Sequence, residues 1–181
     1  MKLVVTAVAL GLLTGPVEAQ GPRRFFVEGL AGGVVPTSAL ADAAKTGVGC
    51  GLACGSQVQP RWILMAELNM GMHQDKATGS VDSDTRHYSA KVGYSLTRPR
   101  ERGWDIAVNL GAGAVTFDVA GAPQSFTYPA INAGAKLAYG VTPQVAFVLS
   151  PQGDIAFSKE SEVGTTNAWV WPITAGLRVR F

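Results

Sequence analysis

Apolar and polar residues alternate one by one along most of the chain after residue 20, and helical periodicity is hard to find. Alternation with a period of two puts successive side chains on opposite faces of an extended strand. The pattern predicts eight strands, near residues 23–35, 45–55, 60–72, 85–97, 103–117, 127–140, 143–157 and 168–181. In the third, Trp62, Leu64, Ala66, Leu68 and Met70 share one face, while Arg61, Glu67, Asn69 and Gly71 share the other. The fourth sets Tyr88, Ala90, Val92, Tyr94 and Leu96 against His87, Ser89, Lys91, Gly93 and Ser95. Trp104, Ile106, Val108, Leu110 and Ala112 of the fifth oppose Asp105, Asn109, Gly111 and Gly113. The sixth and eighth alternate in the same way, and the first, second and seventh do so less cleanly.

The connections alternate as well. Residues 56–59, 98–102 and 141–142 make short links rich in Pro, Gly, Gln or charge. Residues 36–44, 73–84, 118–126 and 158–167 make longer ones carrying Asp, Ser, Thr, Gly and Lys. An even number of strands with turns at one end and loops at the other describes an all-β, eight-stranded antiparallel up-and-down barrel of the transmembrane kind. Such a topology gathers Phe25, Trp62, Tyr94, Trp104, Tyr139 and Phe181 at the turn end. It places Tyr88, Phe117, Phe157 and Trp169 at the loop end, with Trp171 one step deeper. Aromatic side chains favour both membrane interfaces, because their bodies are apolar and their tips tolerate water. A general liking of rings for strands explains their presence but not two levels.

The N-terminus bears on the compartment. Met1-Lys2 is a short basic start, Leu3 to Leu13 is apolar, Gly15-Pro16 breaks the run, and Val17-Glu18-Ala19 follows. This is the layout of a secretory signal peptide cleaved after Ala19, leaving residues 20–181 as one barrel domain. A membrane anchor would need a longer apolar run, on the order of 20 residues. Composition agrees: only 15% of residues are charged, 22 of 181 are glycine, and the formal net charge is +2. With no basic cluster, nucleic acid is not an expected partner. Two His and two Cys nearly exclude a Cys/His zinc site, and no cofactor is expected.

If the apolar face is the outer one, the inner face carries glycines (Gly29, Gly51, Gly71, Gly93, Gly111, Gly113, Gly134 and Gly176) and seven charges. The charges are Glu28, Glu67, Lys91, Asp105, Lys136, Arg178 and Arg180. Eight strands leave an interior just wide enough for side chains, and a buried charge is costly unless paired. An internal salt-bridge ladder filling the lumen is therefore expected. Alternation alone does not say which face is inside. A soluble sandwich or lipocalin-like barrel would invert the two, and the N-terminal segment, the aromatic levels and the terminal Phe favour the membrane arrangement.

The chain ends Trp171-Pro172-Ile173-Thr174-Ala175-Gly176-Leu177-Arg178-Val179-Arg180-Phe181. Ile173, Leu177, Val179 and the final Phe181 resemble the recognition signal of the barrel assembly machinery. Gly47 to Leu52 followed by Pro60-Arg61-Trp62 resembles a strand-turn-strand of small outer-membrane barrels. The whole of residues 20–181 resembles the outer-membrane β-barrel domain family, which includes OmpA-type and OmpX-type barrels. That resemblance implies location in the cell outer membrane, outer-membrane lipids and the assembly machinery as partners, and a structural or surface-interaction role. The chain is expected to stop at the barrel, without the C-terminal domain that grips peptidoglycan in OmpA-type proteins.

Candidate chemistry is thin. His87-Tyr88-Ser89 resembles the H-x-S motif of lipid A deacylases, with His as base and Ser as nucleophile. Those enzymes carry it near the C-terminus on a lipid-facing surface. Here it lies mid-chain on the face assigned inward, with Glu101 as a poor orienting acid. His73, Asp75, Asp82 and Asp84 fall in one long loop with hard-cation donors, but their spacing is not that of an EF-hand, and a hydrated, mobile extracellular loop explains them better. Cys50 and Cys54 lie roughly 13 Å apart on a regular strand, too far for a disulfide, and are expected to be unpaired. The reading is a non-enzymatic outer-membrane barrel. A narrow channel for small solutes or ions and a lipid A-modifying hydrolase using His87 and Ser89 are the alternatives.

Overall fold

The computed structural model describes residues 24–37, 40–74, 76, 79, 83–97, 102–118 and 124–181. Eight strands run β1 (Phe25–Thr37), β2 (Gly47–Gln57), β3 (Trp62–His73), β4 (Ser83–Ser95), β5 (Gly103–Asp118), β6 (Phe126–Gly140), β7 (Val145–Ala156) and β8 (Ala168–Arg180). All are antiparallel to their neighbours, and β8 pairs with β1 to close a barrel. Each predicted strand is present, and the ends differ by two residues or fewer. Two one-turn helices sit in the long connections, α1 (Leu40–Ala43) and α2 (Glu160–Val163). The proposed signal peptide, Asp75, Asp82 and Glu101 lie outside the described residues.

The register fixes the shape. One row of partners runs from Val27 through Cys54, Ala66, Ala90, Ala112, Ile131, Ile155 and Trp169 to Thr37. It starts at residue 27 of β1 and returns to the same strand at residue 37, a stagger of ten. Ten rises of ~3.3 Å spread over eight strand spacings of ~4.8 Å give a tilt of roughly 40°. A strand of 13 residues, such as β1, then covers roughly 33 Å along the axis, close to the ~30 Å hydrocarbon core of a bilayer.

The outer wall is apolar. Leu52, Leu64, Met70, Val92, Val108, Leu110, Ile131, Leu149, Ile173 and Leu177 are all exposed. Charged and amide side chains of the same strands are buried inside, with Glu28, Glu67, Lys91, Asn109, Lys136 and Gln152 among them. A soluble barrel has the opposite distribution, because exposing so large an apolar band to water is unfavourable. Cys50 and Cys54 are free and exposed on this wall, opposite Met70 and Ala66 of β3.

Two face assignments need correction. Gly29 points outward, because Glu28 and Leu30 on either side of it are buried. Phe117 points inward and is buried, not part of an outer aromatic level, because it shares the parity of Asp105 and Val115 along β5. The two glycines at the closing seam give a paired test. A Cβ on Gly176 would fall 1.8 Å from the Gly29 carbonyl oxygen, a backbone atom that moves only if β1 and β8 separate. A Cβ on Gly29 meets nothing within 4 Å. Gly176→Ala is expected to lower stability by about 1–3 kcal/mol. Gly29→Ala is expected to leave it unchanged or raise it slightly. Urea midpoints of the two variants in detergent read the difference.

Candidate functional site

The lumen gathers the chemistry. Six of the seven predicted inner charges form one unbranched chain of alternating sign. Lys91 Nζ stands 3.1 Å from Glu67, whose other oxygen is 2.8 Å from Lys136. Lys136 is 2.5 Å from Glu28, and Glu28 is 2.7 Å from Arg178. Arg178 ends the chain 3.7 Å from Asp105. Every interior member has an opposite charge on each side, which is the arrangement that offsets burial of ions. Arg180 is half-buried at the rim and outside this chain.

Neutral groups close both ends. Ser95 Oγ donates to Asp105 at 2.5 Å, and Thr97 Oγ1 donates to the same oxygen at 3.4 Å. At the other end Lys91 donates to Gln152 at 3.3 Å, and Gln152 donates to Ser150 and to the Ala135 carbonyl. Asn69 donates to Glu67 at 2.7 Å. Seven strands contribute polar groups to this assembly. The exception, β2, offers Gly47, Gly49, Gly51, Ala53 and Gly55 on its inward parity, and its last residue, Gln57, donates to the Pro60 carbonyl in the turn instead. Packing requires some of these glycines: a Cβ on Gly47 would lie 2.0 Å from the Met72 carbonyl oxygen, a backbone atom of β3.

The fourth lumen acid, Asp154, has no described Lys or Arg within ion-pair distance. It receives a 2.9 Å hydrogen bond from Asn132, and its other oxygen lies 3.0 Å from His87 Nδ1, off the line of a hydrogen bond. His87 is thus buried inside the barrel. Ser89 lies on the same inward face, half-buried and opposite Glu67 of β3. Neither faces lipid. His73 is corrected too: it is the last residue of β3, not a loop residue, and it turns inward. Its ring nitrogens lie 3.1 Å from the Lys45 carbonyl and 3.2 Å from the Thr85 hydroxyl. Asp84 belongs to β4, so it is not a loop residue either.

Apolar clusters flank the polar centre on both sides. At the turn end, Phe26, Ile63, Met65 and Ala107 pack together, and the Arg178 guanidinium lies 4.4 Å from the Phe26 ring centroid. At the loop end, Val34, Val115, Phe117, Tyr128 and Val170 form a larger plug. Leu40 of α1 and Val163 of α2 pack onto that plug from above. Tyr128 donates to Glu162 of α2, and this bond holds the Glu162 carboxyl below the usual carboxylate range. The one-turn helices therefore act as stoppers over the mouth.

On the outer wall, Phe25, Trp62, Tyr94, Trp104, Tyr139 and Phe181 lie at the turn end, all at least partly exposed. Trp62 and Tyr94 meet edge to face at 5.1 Å, as do Trp104 and Tyr139. Trp169, Trp171 and Phe157 are exposed near the loop end, and Tyr88 is exposed on β4, across the barrel from β8. Among the described residues no group of three His, Cys, Asp or Glu side chains is placed to hold a metal ion.

An outer-facing apolar band, a polar lumen and a closed even-stranded sheet point to one kind of protein. The sequence profile described as "Outer membrane protein beta-barrel domain" matches residues 5–181. The chain belongs to the outer-membrane β-barrel family. Solved outer-membrane barrels share the fold. Neisserial surface protein A superposes with a TM-score of 0.66 at 16% identity, covering 87% of this chain and 97% of that one. OprG of Pseudomonas aeruginosa gives 0.61 at 12% identity, over 91% and 99% of the two chains. The N-terminal barrel domain of OprF from Pseudomonas aeruginosa gives 0.59 at 16% identity, over 90% and 100%. No curated protein matches at the sequence level. The outer-membrane barrel spans the outer membrane of the cell with strands, in a lipid environment.

Sequence reasoning missed Asp154, Gln152 and Ser150 as lumen residues. Their signal was present in β7, where Phe147, Leu149 and Ile155 alternate with them, but Pro151 and Gly153 blur the outward face.

Proposed function

We propose that this outer-membrane barrel is a closed envelope protein that works through its surface, as a structural element or through its external loops, and does not pass solutes through its lumen. The observation that carries this reading is the charge chain from Lys91 to Asp105 enclosed between two apolar clusters. A water path would have to part those clusters and strand the ions. Protein purified from outer membranes and added to planar bilayers is expected to give no unitary current steps. Reproducible steps at millimolar salt would replace this reading with the narrow channel.

A hydrolase acting on lipid A needs its nucleophile at the lipid face, and His87 and Ser89 lie on the lumen side. Residues 1–19 are proposed to direct export. The ring of Phe25, Trp62, Tyr94, Trp104, Tyr139 and Phe181, with Trp169 and Trp171 opposite, is proposed to mark the two membrane interfaces. Exposure of these side chains on the outer wall supports it. Ile173, Leu177 and Val179 project from the closing strand β8 on that wall, and Phe181, just past its end, is exposed too, which supports their proposed role as the signal read by the barrel assembly machinery.

A further inference from the structure

Charge is distributed unequally between the ends of the barrel. At the loop end every described exposed or half-exposed cation has a partner within the protein. Arg86 is 2.6 Å from Asp118, Lys159 is 3.5 Å from Glu162, Lys45 donates to Gln74, and Lys76 donates to the Ala41 carbonyl. At the turn end, Arg24, Arg61 and Arg102 are exposed, and among the described residues none has a carboxylate within ion-pair distance.

These arginines are also placed at one depth. Arg24 immediately precedes Phe25, Arg61 immediately precedes Trp62, and Arg102 stands two residues before Trp104. Arg61 was expected on the face of Glu67. Its guanidinium instead lies 5.9 Å from the outward Tyr94 ring centroid and donates to the Tyr94 hydroxyl at 3.3 Å. The ring holds that guanidinium against the outer wall instead of letting it extend along the axis into water. Aromatic rings at the rim mark the headgroup layer, so the arginines beside them sit at the level of lipid phosphates. A guanidinium offers a planar fork matched to phosphate oxygens, and it keeps its charge there.

We infer that the turn-end rim is a binding surface for anionic glycerophospholipid headgroups of the inner leaflet, with Arg24, Arg61 and Arg102 each contacting a phosphodiester. The inference rests on the barrel standing with its termini at that leaflet. Phosphatidylglycerol fits this rim better than a zwitterionic lipid, whose headgroup amine repels a guanidinium.

The test is native mass spectrometry of protein purified from outer membranes into detergent and offered equal phosphatidylglycerol and phosphatidylethanolamine. Phosphatidylglycerol adducts are expected to dominate, by roughly fivefold per arginine engaged. Arg24→Gln, Arg61→Gln and Arg102→Gln combined should abolish that preference while the unboiled band on an SDS gel keeps its folded mobility. Arg86→Gln with Lys159→Gln, at the other end, should leave it intact. Equal occupancy of the two lipids in the unaltered protein overturns the inference. So does a preference that survives in the triple variant, or one lost instead in the loop-end pair, which would assign it to a phosphorylated lipid of the outer leaflet. None of these outcomes touches the closed-lumen reading, which conductance decides.

Discussion

Glu28→Ala is expected to destabilise the barrel by about 3–5 kcal/mol, the cost of removing one partner from a buried ion pair. Glu28 is fully buried and bridges two cations, Lys136 at 2.5 Å and Arg178 at 2.7 Å, more closely than Glu67 bridges Lys91 and Lys136. Without it the chain breaks in the middle. Lys136 keeps only Glu67, and Arg178 keeps only Asp105 at 3.7 Å. Two buried cations then have one close carboxylate between them. Glu28→Gln keeps the volume and an acceptor oxygen, so its loss isolates the charge itself. The decisive arm is the triple change Glu28→Met, Lys136→Met and Arg178→Met. Removing all three ions together is expected to cost far less than Glu28→Ala alone, because a well-packed apolar substitute avoids the desolvation of ions. Urea unfolding in phospholipid vesicles, followed by tryptophan emission, reads all three. If Glu28→Ala unfolds at the same urea concentration as the unaltered protein, the charge chain does not hold the lumen together.

The same chain shows where the sequence was legible and where it was not. Five members alternate with outward apolar residues, which is why period two places them on one face; the sixth, Glu28, lies on β1. Strands β1 and β2 were harder to read for opposite reasons. Along β1 the inner face is itself partly apolar, since Phe26, Leu30 and Val34 belong to lumen clusters. Polarity therefore fails to separate its two faces, and Gly29 was assigned to the wrong one. Along β2 the inner face is almost all glycine, which carries no polarity signal. The pairing order within the lumen was not legible at all. Which cation meets which acid depends on the ten-residue stagger, and a stagger is a property of closure, not of any one strand. The stopper helices escaped notice for a similar reason. Each is a single turn, and its hydrophobic residue, Leu40 or Val163, gains meaning only from the plug it covers.

Leu110→Arg is the second large effect, and it decides which face meets lipid. Leu110 lies midway along β5 and is 62% exposed on the outer wall. If that wall stands in hydrocarbon, an arginine there must reach an interface or drag water inward. The expected cost is about 2–4 kcal/mol near the bilayer midplane. Depth supplies the control. Val58 is equally an exposed aliphatic residue, but it lies at the end of β2 beside the turn, so Val58→Arg is expected to cost about 1 kcal/mol or less. A soluble barrel predicts no such gradient. There Leu110 would face water, and arginine would cost little and reduce aggregation. Guanidinium titrations in phospholipid vesicles compare the two variants directly. Equal midpoints for Leu110→Arg and Val58→Arg would falsify the membrane-facing assignment of the outer wall, because water offers no depth for the cost to follow.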